Sequence, residues 1–176
     1  MNIRILQHSD AESYRQLRLA GLQTNPEAFG STYEQEAQFT LETMINRITP
    51  SKDKFVLGAF AEDGSSLTGI VTFVRESGVK TSHKANVYGM YVAPSARGKG
   101  IGRRLLVELI EKAKECDGLE QINLAVVSDN APAKKLYRAL GFDTYGVEKN
   151  ALKYNDQYYD EDFMVFRLSE LGPSFN

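Results

Sequence analysis

Between residues 41 and 48 the apolar positions recur at the spacing of one helical face. Thr40 is a residue type that caps helix N-termini, so this segment is predicted to be a helix starting at residue 41. An earlier helix is predicted to start from the capping-box pattern Ser9-Asp10-Ala11-Glu12 and to end near Gly21. The polar stretch 24–39 has no clear period, so we expect a loop there that can hold a helical turn.

Runs of β-branched and aromatic residues predict the strands of the first half. A short strand is expected near residues 3–6. Runs at 55–61 and 67–74 are joined by Glu62-Asp63-Gly64-Ser65, which predicts a hairpin. The run 85–92 leaves little room for polar alternation, so we expect a central strand covered on both faces.

The second half of the chain adds two helices and three strands. An amphipathic helix is predicted from a glycine-rich loop to about Gly118, and a strand follows at 122–126. Asn130 can cap the next helix and Gly141 can end it, after which the tail 142–168 is expected to form two strands around a polar turn. This element order predicts an α+β fold with a mixed central sheet and helices on both faces.

Composition narrows the class of protein. The length of 176 residues favours a single domain over residues 1–176, with a core at about 2–168. The net charge of −2 provides no global field for nucleic acid or anionic lipid, so neither is expected as a partner. Cys116 is the only cysteine, which fits a reducing compartment, and no metal-ligand spacing is present. Without a signal-like or membrane-spanning run, we expect a cytoplasmic protein.

The chemistry is concentrated in one loop that opens the amphipathic helix. Glycines at every second position let a ligand approach the backbone, and a helix N-terminus presents unpaired N–H groups, so the loop is suited to bind phosphate. The spacing fails both the dinucleotide fingerprint and the Walker motif. The loop contains Arg97, Gly98, Lys99, Gly100, Ile101, Gly102, Arg103 and Arg104.

Two motifs in register resemble those of the GNAT superfamily of N-acetyltransferases. The cofactor motif [QR]-x-x-G-x-[GA] is met by Arg97, Gly100 and Gly102, after the strand end Met90-Tyr91-Val92-Ala93-Pro94. The second motif is matched by Asn130, Tyr137 and Leu140-Gly141-Phe142. The resemblance implies the acyl-CoA N-acyltransferase fold, with a mostly antiparallel seven-stranded sheet, and acetyl-CoA as cofactor.

The resemblance also implies roles for individual residues. The splayed fourth strand would bind the pantetheine arm at Tyr91 and Val92, and the N–H of Met90 would face the thioester oxygen. Amides from Gly98 to Arg103 would surround the diphosphate. Asn130 would either contact the pantetheine or only cap its helix, and both alternatives stay open. A homodimer is compatible with the family, but the oligomeric state is open.

Acetyl transfer to an amine also needs a proton donor for the leaving thiolate and a base for the amine. Tyr137 is the candidate acid, because a phenol with a pKa near ~10 stays protonated at neutral pH; spacing alone would make it a core residue. Cys116 is rejected as a nucleophile. The base is either water or one of the following residues: Glu34, Glu36, His83, Glu148, Asp160 and Glu161.

The acceptor is expected to be a small-molecule amine or a peptide or protein amine. In the family, the segment between the first two helices and the last hairpin shape the acceptor pocket, which points here to Phe29, Tyr33, Glu34, Tyr154 and Tyr159. Two other functions stay open. One is a non-catalytic acetyl-CoA-binding sensor or interaction module, and the other is a nucleic-acid-binding domain that uses the basic loop.

Overall fold

The computed structural model describes residues 2–64 and 66–168. The predicted domain and the predicted hairpin turn therefore include residues 1, 65 and 169–176, which lie outside the described part. The elements in chain order are β1 (Asn2–Ile5), α1 (Ala11–Thr24), α2 (Tyr33–Glu36), α3 (Leu41–Ile48), β2 (Lys54–Phe60), β3 (Leu67–Arg75), β4 (Lys84–Val92), α4 (Ile101–Lys114), β5 (Gln121–Val127), α5 (Ala131–Ala139), β6 (Asp143–Tyr154) and β7 (Gln157–Arg167). Short 3-10 turns lie at His8–Asp10, Pro26–Ala28 and Pro94–Ala96.

One mixed sheet organises the molecule, in the order β1-β2-β3-β4-β5-β7-β6. Every neighbouring pair is antiparallel except β4 and β5, which are parallel. One face of the sheet packs on α4 through an apolar cluster that includes Phe73 and Leu109, and the other packs on α1 and α3 through a cluster that includes Leu17 and Met44. The predicted mixed, mostly antiparallel seven-stranded sheet with helices on both faces is confirmed.

Helix ends follow local capping chemistry, with one exception. The Oγ1 atom of Thr40 accepts the N–H of Thr43 at 3.2 Å, as predicted. The capping box predicted for α1 is wrong, and α1 continues past Gly21 to Thr24. Instead of capping α1, the Asp10 carboxylate accepts the Gln7 N–H at 2.7 Å and two bonds from the Arg4 guanidinium. Asp10 is still the N-cap residue of α1 by position, but its carboxylate makes no capping bond to that helix.

The segment between α1 and α3 contains more helix than its composition indicates. Thr32 caps the single-turn helix α2 by accepting the Gln35 N–H at 3.2 Å. This capping places Glu36, the last residue of α2, in the interior, where it is 0% exposed. One buried carboxylate therefore ties this polar segment to α1 and α3 through Arg18 and Arg47.

β4 is the middle strand, as predicted, but it is not covered on both faces. Tyr88 is 57% exposed, so that part of the prediction is wrong. The pairing of β4 with β3 shifts between Tyr88 and Tyr91, so Gly89 and Met90 lie opposite the single residue Val71. This is a β-bulge, and Gly89 adopts a φ of +58° within it. The bulge re-aims the backbone of β4 just before the strand ends.

Among the described residues, no helix has the length and apolar character needed to cross a bilayer. No group of three or more His, Cys, Asp or Glu side chains in 2–64 and 66–168 could hold a metal ion.

Candidate active site

A gap opens between β4 and β5 beyond their first residues. The two strands pair only from Lys84–Asn86 with Gln121–Asn123, after which β5 continues to pair with β7 alone. Ala93 donates its N–H to the Thr68 carbonyl at 2.9 Å, so Val92 and Gly69 form a non-hydrogen-bonded pair. The N–H and C=O of Val92 therefore point away from β3 and into the gap. An extended polar ligand could bind along this edge as a strand would.

The glycine-rich loop lies where the chain leaves β4 and enters α4. Gly98 and Gly100 have φ of +76° and +73°, and Gly100 is the N-cap residue of α4. A Cβ at either position would meet no atom within 4 Å, so conformation and not space requires glycine there. Within the described residues, no acceptor takes the backbone N–H groups of 98–103. The loop thus presents a series of unpaired donors at a helix N-terminus.

Gly102 serves a different purpose, because it allows three elements to meet. A Cβ on Gly102 would lie 3.1 Å from the Met90 Cε and 3.2 Å from the Leu136 Cδ2. The first turn of α4 therefore packs closely on β4 and α5 and closes one side of the gap. Ile101 is buried against Gly69, so only its backbone is available to a ligand.

The basic residues of the loop are not equivalent. Arg97 donates its Nε–H to the Val92 carbonyl at 3.0 Å and one Nη2–H to Asn25 Oδ1 at 2.8 Å, and its guanidinium lies 5.6 Å from the centre of the Tyr91 ring. Its side chain ties the loop to β4 and to the end of α1. Lys99 and Arg103 are exposed and leave their charge free to attract an anion, as does Arg104.

Tyr91 and Asn130 have well-defined local roles. The Tyr91 side chain lies on the α1 side of the sheet, against Gly21 and 6.1 Å from the Phe29 ring, which separates it from the closed side of the gap. Asn130 Oδ1 accepts the Ala133 N–H at 3.2 Å, so Asn130 caps α5 as predicted. That bond uses the side-chain oxygen and leaves the amide NH₂ for a ligand.

Tyr137 lies on α5 one residue after Leu136, beside the closed side of the gap. It is 7% exposed, and its ring centre is 5.8 Å from that of Phe142. Burial raises the pKa of Tyr137 to about 12, so its phenol is protonated at neutral pH. Its hydroxyl has no partner among the residues that the structure describes.

A buried ion pair fixes α5 to the sheet. The Asp162 carboxylate on β7 lies 2.7 Å from the Lys134 Nζ and accepts the Ser128 Oγ–H at 2.5 Å. Hydrogen bonds, first from Lys134 and then from Ser128, lower the pKa of Asp162. The pair holds the first turn of α5, and with it Asn130 and Tyr137, in place.

On the α1 side of the sheet, a cavity of about 480 Å³ brings together several residues predicted to bind the acceptor. Tyr33 and Glu34 of α2 line it together with Tyr154 at the end of β6. Phe29 lies deeper, between α1 and Tyr91, and does not line this cavity. Tyr159 does not line it either, and its hydroxyl donates to Gln157 Oε1 at 3.1 Å.

One feature near the gap is missing from the sequence prediction. Arg18 of α1 forms two hydrogen bonds with Glu36, and its guanidinium carbon lies 4.7 Å from the centre of the Phe29 ring. Its Nη1 would lie 3.3 Å from a Cβ on Gly89, so it sits over the bulge of β4. Gly89 inside an apolar strand pattern was a usable signal for the bulge. No local pattern indicates Arg18.

The candidate bases separate into distinct environments. His83 precedes β4, seven residues from Met90, which is about 23 Å along a strand. Glu36 is held by Arg18 and Arg47, which outweigh the large opposing effect of burial and lower its pKa. Asp160 bonds to Lys149, which lowers its pKa. His83 is therefore too distant, and Glu36 too firmly paired, to take a proton from the amine that receives the acetyl group.

Glu161 differs from Glu36 and Asp160 in the direction in which its pKa is shifted. It lies on β7 between Val127 of β5 and Glu148 of β6. Burial, and then the neighbouring Glu148 carboxylate, raise the pKa of Glu161. Asp162 faces α5, so by strand alternation Glu161 faces the α1 side. Glu34 is exposed at the cavity rim.

Cys116 is remote from these features. It lies just after α4, half-buried, with its Sγ 3.8 Å from the Lys112 carbonyl. Burial raises the pKa of its thiol, which disfavours the nucleophilic thiolate.

Comparison with known proteins identifies similar sequences and structures. A family model described as an acetyltransferase (GNAT) domain matches residues 3–163. The L-amino acid N-acetyltransferase AaaT of Escherichia coli is 30% identical over 99 residues, which cover 56% of this chain and 60% of that protein. The chain thus matches less than two thirds of that relative.

Two solved structures share the fold. An acetyltransferase of the GNAT family from Streptococcus pneumoniae superposes with a TM-score of 0.82 at 25% identity, covering 95% of this chain and 98% of that one. A GNAT superfamily phosphinothricin acetyltransferase from Sinorhizobium meliloti, in complex with acetyl-CoA, has a TM-score of 0.81 at 22% identity, covering 98% and 92%.

Proposed function

This chain belongs to the GNAT acetyltransferase family, and from that premise we propose that it is an N-acetyltransferase that transfers the acetyl group of acetyl-CoA to a primary amine. The observation that carries the proposal is the combination of unpaired N–H groups at 98–103 with the strand gap that begins beside them. The unpaired N–H groups suit a diphosphate, and the strand gap suits a pantetheine arm. The domain would extend over residues 1–176, in the cytoplasm.

The loop fits coenzyme A by its donor geometry. The N–H groups of 98–103 would bind the diphosphate, and the exposed Lys99 and Arg103 would add charge-assisted contacts. Arg97 would act mainly through its backbone, because its guanidinium is already bonded to Val92 and Asn25. The Val92 carbonyl has two lone pairs, so it can accept a pantetheine N–H as well as the Arg97 bond.

When bound, acetyl-CoA would supply a thioester carbonyl carbon as the target of the acceptor nitrogen, with the coenzyme A thiol as the leaving group. The Met90 N–H, at the bulge, would face the thioester oxygen and stabilise the negative charge that develops there. Tyr137 would donate its hydroxyl proton toward the departing sulfur. Because burial raises its pKa, full transfer is costlier than from an ordinary phenol, and a hydrogen bond to the sulfur is the larger part of its role.

The acceptor nitrogen must lose a proton before or during attack. Glu161 is the better supported candidate base, because its raised pKa keeps it a stronger proton acceptor than an ordinary carboxylate. It faces the α1 side, where the cavity lined by Tyr33, Glu34 and Tyr154 would admit the amine. Water remains the alternative base.

The experiment that tests this function uses the purified protein with acetyl-CoA and a panel of primary amines. We expect release of free coenzyme A thiol together with an N-acetylated product identified by mass spectrometry. Tight binding of acetyl-CoA without turnover of any amine would instead support the non-catalytic sensor. Absence of coenzyme A binding would remove the function altogether.

A further inference from the structure

Two cations and one carboxylate form a cluster between α1, α2 and α3. Glu36 Oε2 accepts the Arg18 Nε–H at 3.0 Å, Glu36 Oε1 accepts an Arg18 Nη2–H at 2.8 Å, and Arg47 Nη1 lies 3.1 Å from Oε2. Glu36 is 0% exposed and the Arg18 side chain is 11% exposed. The cluster therefore carries one positive charge more than its carboxylate neutralises. Because the Arg18 side chain is mostly buried while that of Arg47 is 36% exposed, solvent screens the excess charge least at Arg18, where it favours binding of an anion.

The free edge of Arg18 identifies where that anion would lie. Its Nε and Nη2 are used by Glu36, and Phe29 covers the guanidinium face at 4.7 Å. Within residues 2–64 and 66–168, no hydrogen bond engages Nη1. Nη1 lies over Gly89, the residue before Met90. The unpaired donor is thus held rigidly one residue from the N–H proposed to face the thioester.

We propose that Arg18 binds a carboxylate of the acceptor, so that the acceptor is a free α-amino acid or a close analogue. The inference rests on the proposed function. In an α-amino acid the amine and the carboxylate are attached to one carbon, and adjacent Cα atoms such as those of Gly89 and Met90 are 3.8 Å apart. A carboxylate at Arg18 therefore holds the amine near the thioester. A peptide N-terminus has an amide at this position, and a polyamine has no anion there.

The first test compares substrates on the unmodified protein, so it does not depend on a variant folding. A panel of L-amino acids, including L-methionine and L-phenylalanine, is assayed against the matching amino-acid amides at saturating acetyl-CoA. We expect kcat/KM to be roughly 10- to 100-fold higher for the acids, the usual value of a charge-assisted contact. The amides carry the more easily deprotonated amine, so the comparison is biased against this result. Equal or faster use of the amides would overturn the inference.

The second test assigns the preference to Arg18. Arg18→Lys keeps a cation beside Glu36 but removes Nη1, so the acid-to-amide ratio of kcat/KM should fall by roughly 10-fold or more. Arg47→Lys is the matched control. Arg47 lies on α3 and pairs with the same Glu36 carboxylate, but its guanidinium lies over the Phe39 ring and not over the bulge of β4. Its ratio should equal that of the unmodified protein. A ratio preserved in Arg18→Lys would contradict the assignment.

A binding measurement separates this inference from the proposed function. Calorimetry on the protein saturated with coenzyme A should show that N-acetyl-L-methionine binds more tightly than its amide. We expect the two dissociation constants to differ by roughly 10- to 100-fold, as in the first test. If amines are acetylated but acids and amides bind alike, the role of Arg18 fails and the enzyme remains. If coenzyme A itself is not bound, the proposed function fails first.

Discussion

Replacing Gly100 by alanine tests whether the glycine-rich loop holds coenzyme A through its backbone conformation. Gly100 has a φ of +73°, and a Cβ there would meet no atom within 4 Å, so alanine introduces conformational strain without a clash. A left-handed non-glycine residue costs about 1–2 kcal/mol. If the loop of the free variant relaxes to relieve this strain, binding of coenzyme A must restore the strained conformation and pay its free energy. The dissociation constant for coenzyme A should then rise by roughly 5- to 30-fold.

Gly118 provides a matched control at the other end of α4. Its φ is +71°, and a Cβ there would come no closer than 3.6 Å to Arg75. Gly118→Ala should therefore lose a comparable free energy of unfolding, measured by urea denaturation, while coenzyme A affinity measured by calorimetry changes less than about 2-fold. Unchanged affinity in Gly100→Ala, or an equal loss of affinity in Gly118→Ala, would refute the proposed role of the loop conformation.

Three further substitutions test the proposed acid, the proposed base and the buried Glu36 carboxylate. Tyr137→Phe should lower kcat by roughly 10²-fold or more while the dissociation constant for coenzyme A stays nearly unchanged, and an unaltered kcat would remove its role as acid. Glu161→Gln should lower kcat/KM and abolish the acidic limb of its pH profile, whereas a profile identical to that of the unmodified protein would leave water as the base. Glu36→Gln should lower the free energy of unfolding by about 3–5 kcal/mol at neutral pH. Because the pKa of Glu36 is lowered on folding, its contribution is complete above its ordinary value near 4.5 and is lost as the pH falls through the folded pKa, so in denaturation curves the two proteins should converge in acid.

Features fixed by neighbouring residues could be predicted from the sequence. The helix 41–48 follows from its period and from the Thr40 hydroxyl, which accepts a bond three residues ahead. Gly98 and Gly100 of the loop are required by their own backbone angles. The separation of β4 from β5 was expected from the family resemblance and is confirmed by the pairing, which stops after Asn86.

Features that depend on distant residues could not be predicted in this way. Arg18, Glu36 and Arg47 lie on three helices, and no spacing in the chain relates them before it folds. Sequence alone left Glu36 as one of several candidate bases, although it is a buried counter-ion. The exposure of Tyr88 depends likewise on where the helices of the α1 side end, which periodicity within β4 does not encode.

The proposed function depends above all on whether the backbone N–H groups of residues 98–103 bind the diphosphate of coenzyme A. The most direct measurement is an amide ¹H–¹⁵N NMR titration of the labelled protein with coenzyme A, with pantetheine as the ligand that lacks the diphosphate. We expect coenzyme A to move the signals of residues 98–103 strongly downfield, as hydrogen bonds to an anion form, and pantetheine to leave them in place. Shifts of equal size with both ligands, or the absence of shifts at these residues, would contradict it.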